Sequence, residues 1–274
     1  MRRGRALGLY AGALGLLLVG AFPLFWMVST SLKPSAEIFA TPPGLVPSHP
    51  TLENFRRLFT ETAFVTFFEN SAAVSLATVA LTLTVSALGA YGLTRFAFRG
   101  RDAVAGLILT TYMFAPVMII IPFYILVKSL GLVNTRLALV LSYTTFCLPF
   151  CLWLLRAFFA SIPLELEEAA LVDGAGRGRA VWHVTLPLAL PGLIASAIFT
   201  FILAYNDFLF ALVLITSEEL KTLPVGVNDL FNATIVDWGM IMAAGVMITA
   251  PAVLFFALIQ RYLIQGWGAG GLKG

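Results

Sequence analysis

The chain has 274 residues, of which 59% are hydrophobic and only 11% charged, with mean hydropathy +0.93 and a formal charge of +3. Soluble domains carry about 25% charged residues, so this composition excludes a soluble domain and points to a polytopic membrane protein. The small net charge, without a long basic run, excludes a phosphate-tracking nucleic-acid surface.

At the N-terminus, Arg2, Arg3 and Arg5 precede an apolar stretch. At about 20 residues it exceeds the 7–15-residue core of a signal peptide, which predicts an uncleaved first span. Six segments are long enough to cross roughly 30 Å of hydrocarbon. They run over 7–30, 67–95, 103–127, 137–159, 190–215 and 239–264. Gly8 and Gly12 in the first have a spacing that permits close helix contact. Pro116 and Pro122 are expected to break the third span, Pro149 the fourth, Pro191 the start of the fifth and Pro251 the sixth. Cys147 and Cys151 share a face of the fourth. With both histidines, His49 and His183, in other loops, the pair reads as packing rather than a metal or redox site.

Orientation follows from Lys and Arg. With the N-terminus in the cytoplasm, Arg2, Arg3, Arg5, Arg95, Arg99, Arg101, Arg156, Arg177, Arg179, Arg261 and Lys273 lie inside. Lys33, Arg56, Arg57, Lys128, Arg136 and Lys221 lie outside. The bias puts both termini inside. The expected organisation is a first helix (1–30), an outward loop (31–66), a five-helix core (67–264) and a cytoplasmic tail (265–274). A cytoplasmic insert, 160–187, lies within the core.

That insert is the longest polar interruption on the inner side. Ser161-Ile162-Pro163 reads as a helix start, with a capping hydroxyl and a first-turn proline. Leu164–Asp173 is a helix with acids in its first turns, which suits the helix dipole. Gly174 permits a left-handed stop, and a second amphipathic piece runs from Arg177 to Leu186. A connector resting on headgroups would favour Lys and Arg on its polar face. This helix is acidic, so it suits a protein partner better. In the fifth span, Tyr205, Asn206 and Asp207 interrupt the apolar run. Counting helix rise from Pro187 puts them about 30 Å away, in the outer half of the membrane. An acid there marks a pathway or a buried pair. Asn70, beginning the second span beside Glu69, is a weaker candidate of the same kind.

Glu168-Ala169-Ala170, three residues, Gly174, nine residues, Val184, one residue and Leu186-Pro187 together resemble the EAA-loop signature of ABC importer permeases. SLKPSAEIF (Ser31–Phe39), Glu69-Asn70-Ser71, AYNDFLFAL (Ala204–Leu212) and the ending GAGGLKG (Gly268–Gly274) resemble the maltose-type, carbohydrate-uptake branch. Gly176 stands where many relatives carry a capping Ser or Thr.

The resemblance implies an all-α, six-span permease of the type I importer fold in a prokaryotic inner membrane. It implies that Glu168, Ala169, Ala170, Asp173, Gly174, Leu186 and Pro187 couple to an ATPase. An aromatic-Asn-acid motif corresponds to Tyr205, Asn206 and Asp207. Implied partners are a second, homologous permease chain, two ATPase copies, an extracytoplasmic solute-binding protein and membrane lipid. No Gly-x-x-x-x-Gly-Lys-Ser/Thr phosphate loop occurs in the chain. ATP and magnesium are therefore expected on the partner ATPase, with no cofactor and no catalysis in this subunit. A secondary transporter would instead show inverted repeats and paired midplane ionisable groups. A membrane-embedded enzyme would show clustered His, Asp or Glu.

Overall fold

The computed structural model describes the backbone of residues 2–232 and 235–270, and side chains from 9 to 254 except 233 and 234, together with 257. Arg2, Arg3, Arg5, Gly8, Arg261, Lys273 and the glycine-rich ending therefore lie outside the residues whose side chains are described. The described structure is helical. It divides into two compact units, 1–65 with 226–253 and 66–225 with 254–274.

In the first unit, α1 (Arg2–Ser31) carries an apolar window with no buried residues, as expected of a helix facing lipid. The segment after it is more ordered than a loop. It contains α2 (Ser35–Ile38) and α3 (Glu53–Glu61). Buried Asn54 donates to the carbonyls of Ser31 and Lys33, at 2.8 Å each, and so satisfies the end of α1. Glu37 accepts from the backbone of Ser48 and His49. The Arg57 guanidinium reaches Asp237 at 2.6 Å, and the other carboxylate oxygen of Asp237 accepts from Met240 N. The bonds from Glu61 and Asp237 push the Arg57 pKa further up, so its charge is permanent.

The second unit is built on α4 (Phe64–Arg95), α5 (Arg101–Thr111), α6 (Pro116–Ser129) and α7 (Arg136–Ser161). The insert follows as α8 (Leu164–Val172), α9 (Arg177–Ala180), a π-helical turn (Val181–Thr185) and α10 (Leu186–Leu188). Then come α11 (Leu190–Asn206), α12 (Leu209–Leu214) and a 3₁₀ turn (Glu218–Leu220). Chain order ends with α13 (Leu223–Phe231) and α14 (Trp238–Gly270).

Helix α7 is the centre of this unit and packs against α5, α11 and α12. One core cluster includes Val74, Leu139, Tyr143, Phe210 and Leu214. The other includes Ala90, Leu152, Leu155, Phe159 and Ala189. Small residues let these helices approach. Cys151 Sγ lies 3.3 Å from Thr200 Oγ1 across the α7–α11 seam, and a Cβ on Gly192 would fall 2.5 Å from Phe158. Buried Thr78, Ser86 and Ser142 return their hydroxyls to carbonyls four residues back, which removes the cost of burying them.

Several expectations are corrected. The third span is a pair, α5 and α6, bent by 97°. The break falls where Pro116 is expected to put it: Ala115 before it is held extended, and Pro116 starts the new helix. Pro122, Pro149 and Pro251 all sit inside unbroken helices. The fifth span does not run to 215. It ends at Asn206, and a 75° bend separates it from α9–α10. Ser161 does not cap α8: it is the last residue of α7, and its hydroxyl donates back to Phe158 O, leaving Pro163 as the residue before the helix. The final helix continues to Gly270, into the segment expected as a tail. Among the described residues, three single helices and two bent pairs are long and apolar enough to cross a membrane, and Trp238–Leu254 is a shorter apolar stretch within α14.

Candidate functional site

The insert between α7 and α11 has a defined exposed surface and a buried root. Glu165 and Glu167 lie in the first turn of α8, where negative charge complements the helix dipole. The helix stops in a double hydrogen-bonded cap. Ala175 N donates to Ala170 O at 3.0 Å and Gly174 N to Leu171 O at 3.1 Å, with Gly174 at φ +86°. Only a residue without a Cβ adopts this conformation freely. Gly176, at φ −72° and ψ 159°, then supplies its carbonyl to Arg179 N and Ala180 N. The missing hydroxyl cap at Gly176 has not prevented a helix start, but the return piece passes into a π turn after Ala180.

Glu165, Glu168, Ala169, Leu171, Val172, Asp173 and Gly174 are exposed, Val172 at 88%. Ala170 and Leu186 turn partly inward, and Leu186 packs against the core cluster of Leu152, Leu155 and Phe159. Pro187 is exposed just before the bend into α11. The surface thus offers apolar side chains interleaved with carboxylates on a stiff, capped helix.

The root is a residue that the motif does not contain. Glu167 is 4% exposed. Its Oε1 accepts from Arg95 Nε at 2.7 Å and from Thr185 Oγ1 at 2.8 Å, and its Oε2 accepts from Tyr91 OH at 3.1 Å. Arg95 also donates to Ile162 O at 3.1 Å. The two charged side chains are only 9% and 5% exposed. Removing one partner of such a pair typically costs about 3–5 kcal/mol, because the other charge is left buried and uncompensated. Arg177 adds a second attachment, 5.0 Å over the Phe96 ring. Sequence reading passed over Glu167 because it adjoins Glu168. On a helix the two point about 100° apart, so one meets Arg95 and the other meets water. Arg95 was visible only as an orienting charge.

The fifth-span candidates separate. Asp207 follows α11 in an extended conformation, two residues before α12. Its Oδ1 accepts from Tyr143 OH at 2.9 Å, Phe210 N at 3.0 Å and Ala211 N at 3.3 Å. Tyr205 is buried, stacked on Phe201, and its hydroxyl has no hydrogen-bond partner among the described residues. Exposed Asn206 donates to Ile202 O. Asn70 is 1% exposed and donates to the carbonyls of Glu219 and Lys221, at 2.9 Å each. These geometries brace helices and turns. A further feature carried no signal in the sequence. A cavity of about 870 Å³ opens at the α5–α6 break, lined by Thr111, Tyr112, Phe114, Thr144, Thr145 and Phe146 among others.

Residues 83–268, which include the whole insert, match the family described as binding-protein-dependent transport system inner membrane component. The chain belongs to this family. It is an inner-membrane permease component of an ABC transport system, not its ATPase. The permease is 37% identical to the inner membrane ABC transporter permease protein YcjP of Escherichia coli, over 98% of this chain and 96% of that protein. It is 34% identical to the trehalose/maltose transport system permease protein MalG of Thermococcus litoralis, over 97% of this chain and 96% of that one. Among solved structures, it resembles a bacterial ABC transporter involved in the import of the acidic polysaccharide alginate. The TM-score there is 0.85 at 27% identity, over 96% of this permease and 98% of that chain.

Proposed function

We propose that this permease moves a carbohydrate (an oligosaccharide, a disaccharide or a polyol phosphate) across the inner membrane, driven by ATP hydrolysis in a separate subunit. The observation that carries the coupling role is the exposed face of α8, held rigid by its cap and by the buried Glu167 root. Glu168, Ala169, Ala170, Asp173, Gly174, Leu186 and Pro187 make and shape the contact with the ATPase. The carbohydrate class is supported by the relatives, named for trehalose, maltose and alginate.

In this reading the chain spans the membrane six times, with α5–α6 and α10–α11 as broken spans and both termini in the cytoplasm. A second permease chain completes the pathway. Two ATPase copies hold ATP and magnesium, and a solute-binding protein delivers substrate from outside. ATPase closure displaces the insert, and the cavity changes the side to which it opens. Tyr205, Asn206, Asp207 and Asn70 shape the helices around the pathway. Tyr112, Phe114 and Phe146 offer ring faces in the α5–α6 cavity, and sugar rings stack on such faces.

Purification with its partner subunits, followed by a panel of solutes, tests the substrate class. A sugar or polyol phosphate is expected to raise ATP hydrolysis several-fold. Stimulation confined to amino acids or peptides overturns the carbohydrate class. Topology has its own measurement. In a chain carrying Cys147→Ala and Cys151→Ala, Arg177→Cys is expected to react with an impermeant maleimide only from the cytoplasmic side. Leu45→Cys should react only from outside. The reverse pattern removes the insert from any cytoplasmic ATPase.

A further inference from the structure

We infer that α4 is the rod through which the insert acts on the far end of the core, with Glu167 and Arg95 as the positioning residues that fasten it. This rests on the reading of residues 160–187 as the ATPase dock. The near fastening is the buried Glu167–Arg95 pair, closed by Thr185 and Tyr91, with Arg177 over Phe96 just beyond the end of the helix. Glu167 comes from α8, Thr185 from the return piece, and Tyr91 and Arg95 from the last turns of α4. One carboxylate therefore ties both arms of the insert to a single helix.

The far fastening is at the other end of the same helix. Asn70 donates to the carbonyls of Glu219 and Lys221, and Ser71 Oγ accepts from Leu223 N at 2.7 Å. Asn134 Oδ1 accepts from Thr216 N and Ser217 N, both at 3.0 Å, so the segment they hold is itself ordered. Over its whole 32 residues α4 has no interior proline and no break. Asn70 and Arg95 are thus separated by about 37 Å of continuous helix. Two of the alternative routes are interrupted, and the third, α7, carries Pro149 in its interior. The α5–α6 pair is bent by 97°, and α9–α10 meets α11 at 75°. A displacement entering at Glu167 is carried to residues 219–223 by a proline-free helix gripped at both ends.

The test uses the whole complex, with ATPase subunits, in lipid vesicles. The reporter is Glu218→Cys in a Cys147→Ala, Cys151→Ala background, since Glu218 is exposed on the held segment. The labelling rate by an impermeant maleimide is read with and without ATP plus vanadate. The unsubstituted fastenings are expected to give a change of at least fivefold. Glu167→Gln, which keeps the side-chain shape but removes the charge, is expected to leave less than twofold with the ATPase still bound. Asn70→Ala, about 37 Å from the insert along α4, is expected to do the same. A full response at position 218 in either variant overturns the rod. If the unsubstituted chain retains no ATPase during purification, it is the docking reading that fails, and the two failures are distinct.

Discussion

Gly174→Val is expected to lower substrate-stimulated ATP hydrolysis of the assembled complex by about tenfold, while the chain still inserts in the membrane. A Cβ at this position would meet nothing within 4 Å, so no clash accounts for the loss. The cause is the backbone. At φ +86° an L-residue costs roughly 1–2 kcal/mol, and a β-branched one fits worst. Relaxing that strain requires giving up the bonds from Gly174 N and Ala175 N that end α8. The exposed face of Leu171, Val172 and Asp173 would then be misaimed at its socket. Gly174→Asn is the matched control, because asparagine tolerates the left-handed region, and it should stay near the unsubstituted activity. Co-purification of the ATPase and stimulated hydrolysis are the two readouts. Normal values of both in Gly174→Val would show that the insert is not the coupler.

Asp207→Ala is expected to be the most damaging single change in the fifth span. It removes the acceptor for three donors at once. The Tyr143 hydroxyl, in a side chain 1% exposed, would be left with an unsatisfied donor at roughly 1–3 kcal/mol, and the lost cap of α12 adds about 1 kcal/mol. A drop of several degrees in the detergent-solubilised melting temperature is the expected result. Asp207→Asn retains a carbonyl oxygen where Oδ1 now accepts, so its effect on stability should be within about 1 kcal/mol. Tyr143→Phe removes the donor and its partner need together. After that change, Asp207→Ala should cost less than it does alone, which a double-mutant cycle reads directly. Uptake near the unsubstituted level in Asp207→Asn is expected of a brace. Abolished uptake with normal stability would instead place the carboxylate in the pathway.

How much of the site could be read beforehand depends on the range of the interactions. The Gly174 stop, the acidic first turn of α8 and the return piece are local. They follow from backbone preference and dipole, and the structure forms them where the sequence places them. The cap assigned to Ser161 failed for a local reason too: two helix ends compete for one hydroxyl, and the preceding carbonyl takes it. Glu167 lies more than 70 residues from both Tyr91 and Arg95 along the chain. No pattern within the chain connects them, so the root of the insert became visible only in three dimensions. The same holds for Asn70 and the carbonyls near residue 220, about 150 positions away.

By itself the sequence determined that the chain lives in a membrane, roughly where its apolar helices lie, and which insert stands out from them. Those properties follow from hydrophobic length, from charge placement and from a composite motif, and each is set by residues close in the chain. Tertiary structure alone decided which of the prolines expected to break a span are instead carried inside a helix. Pro116 follows an extended residue and starts a helix, whereas Pro149 is buried inside α7, the helix that α5, α11 and α12 pack against. It also decided that Asp207 is a cap bonded to Tyr143, and that two adjacent glutamates do opposite things. A carboxylate takes its role from the donors that surround it, and only the packed helices bring Arg95 to Glu167 and Tyr143 to Asp207.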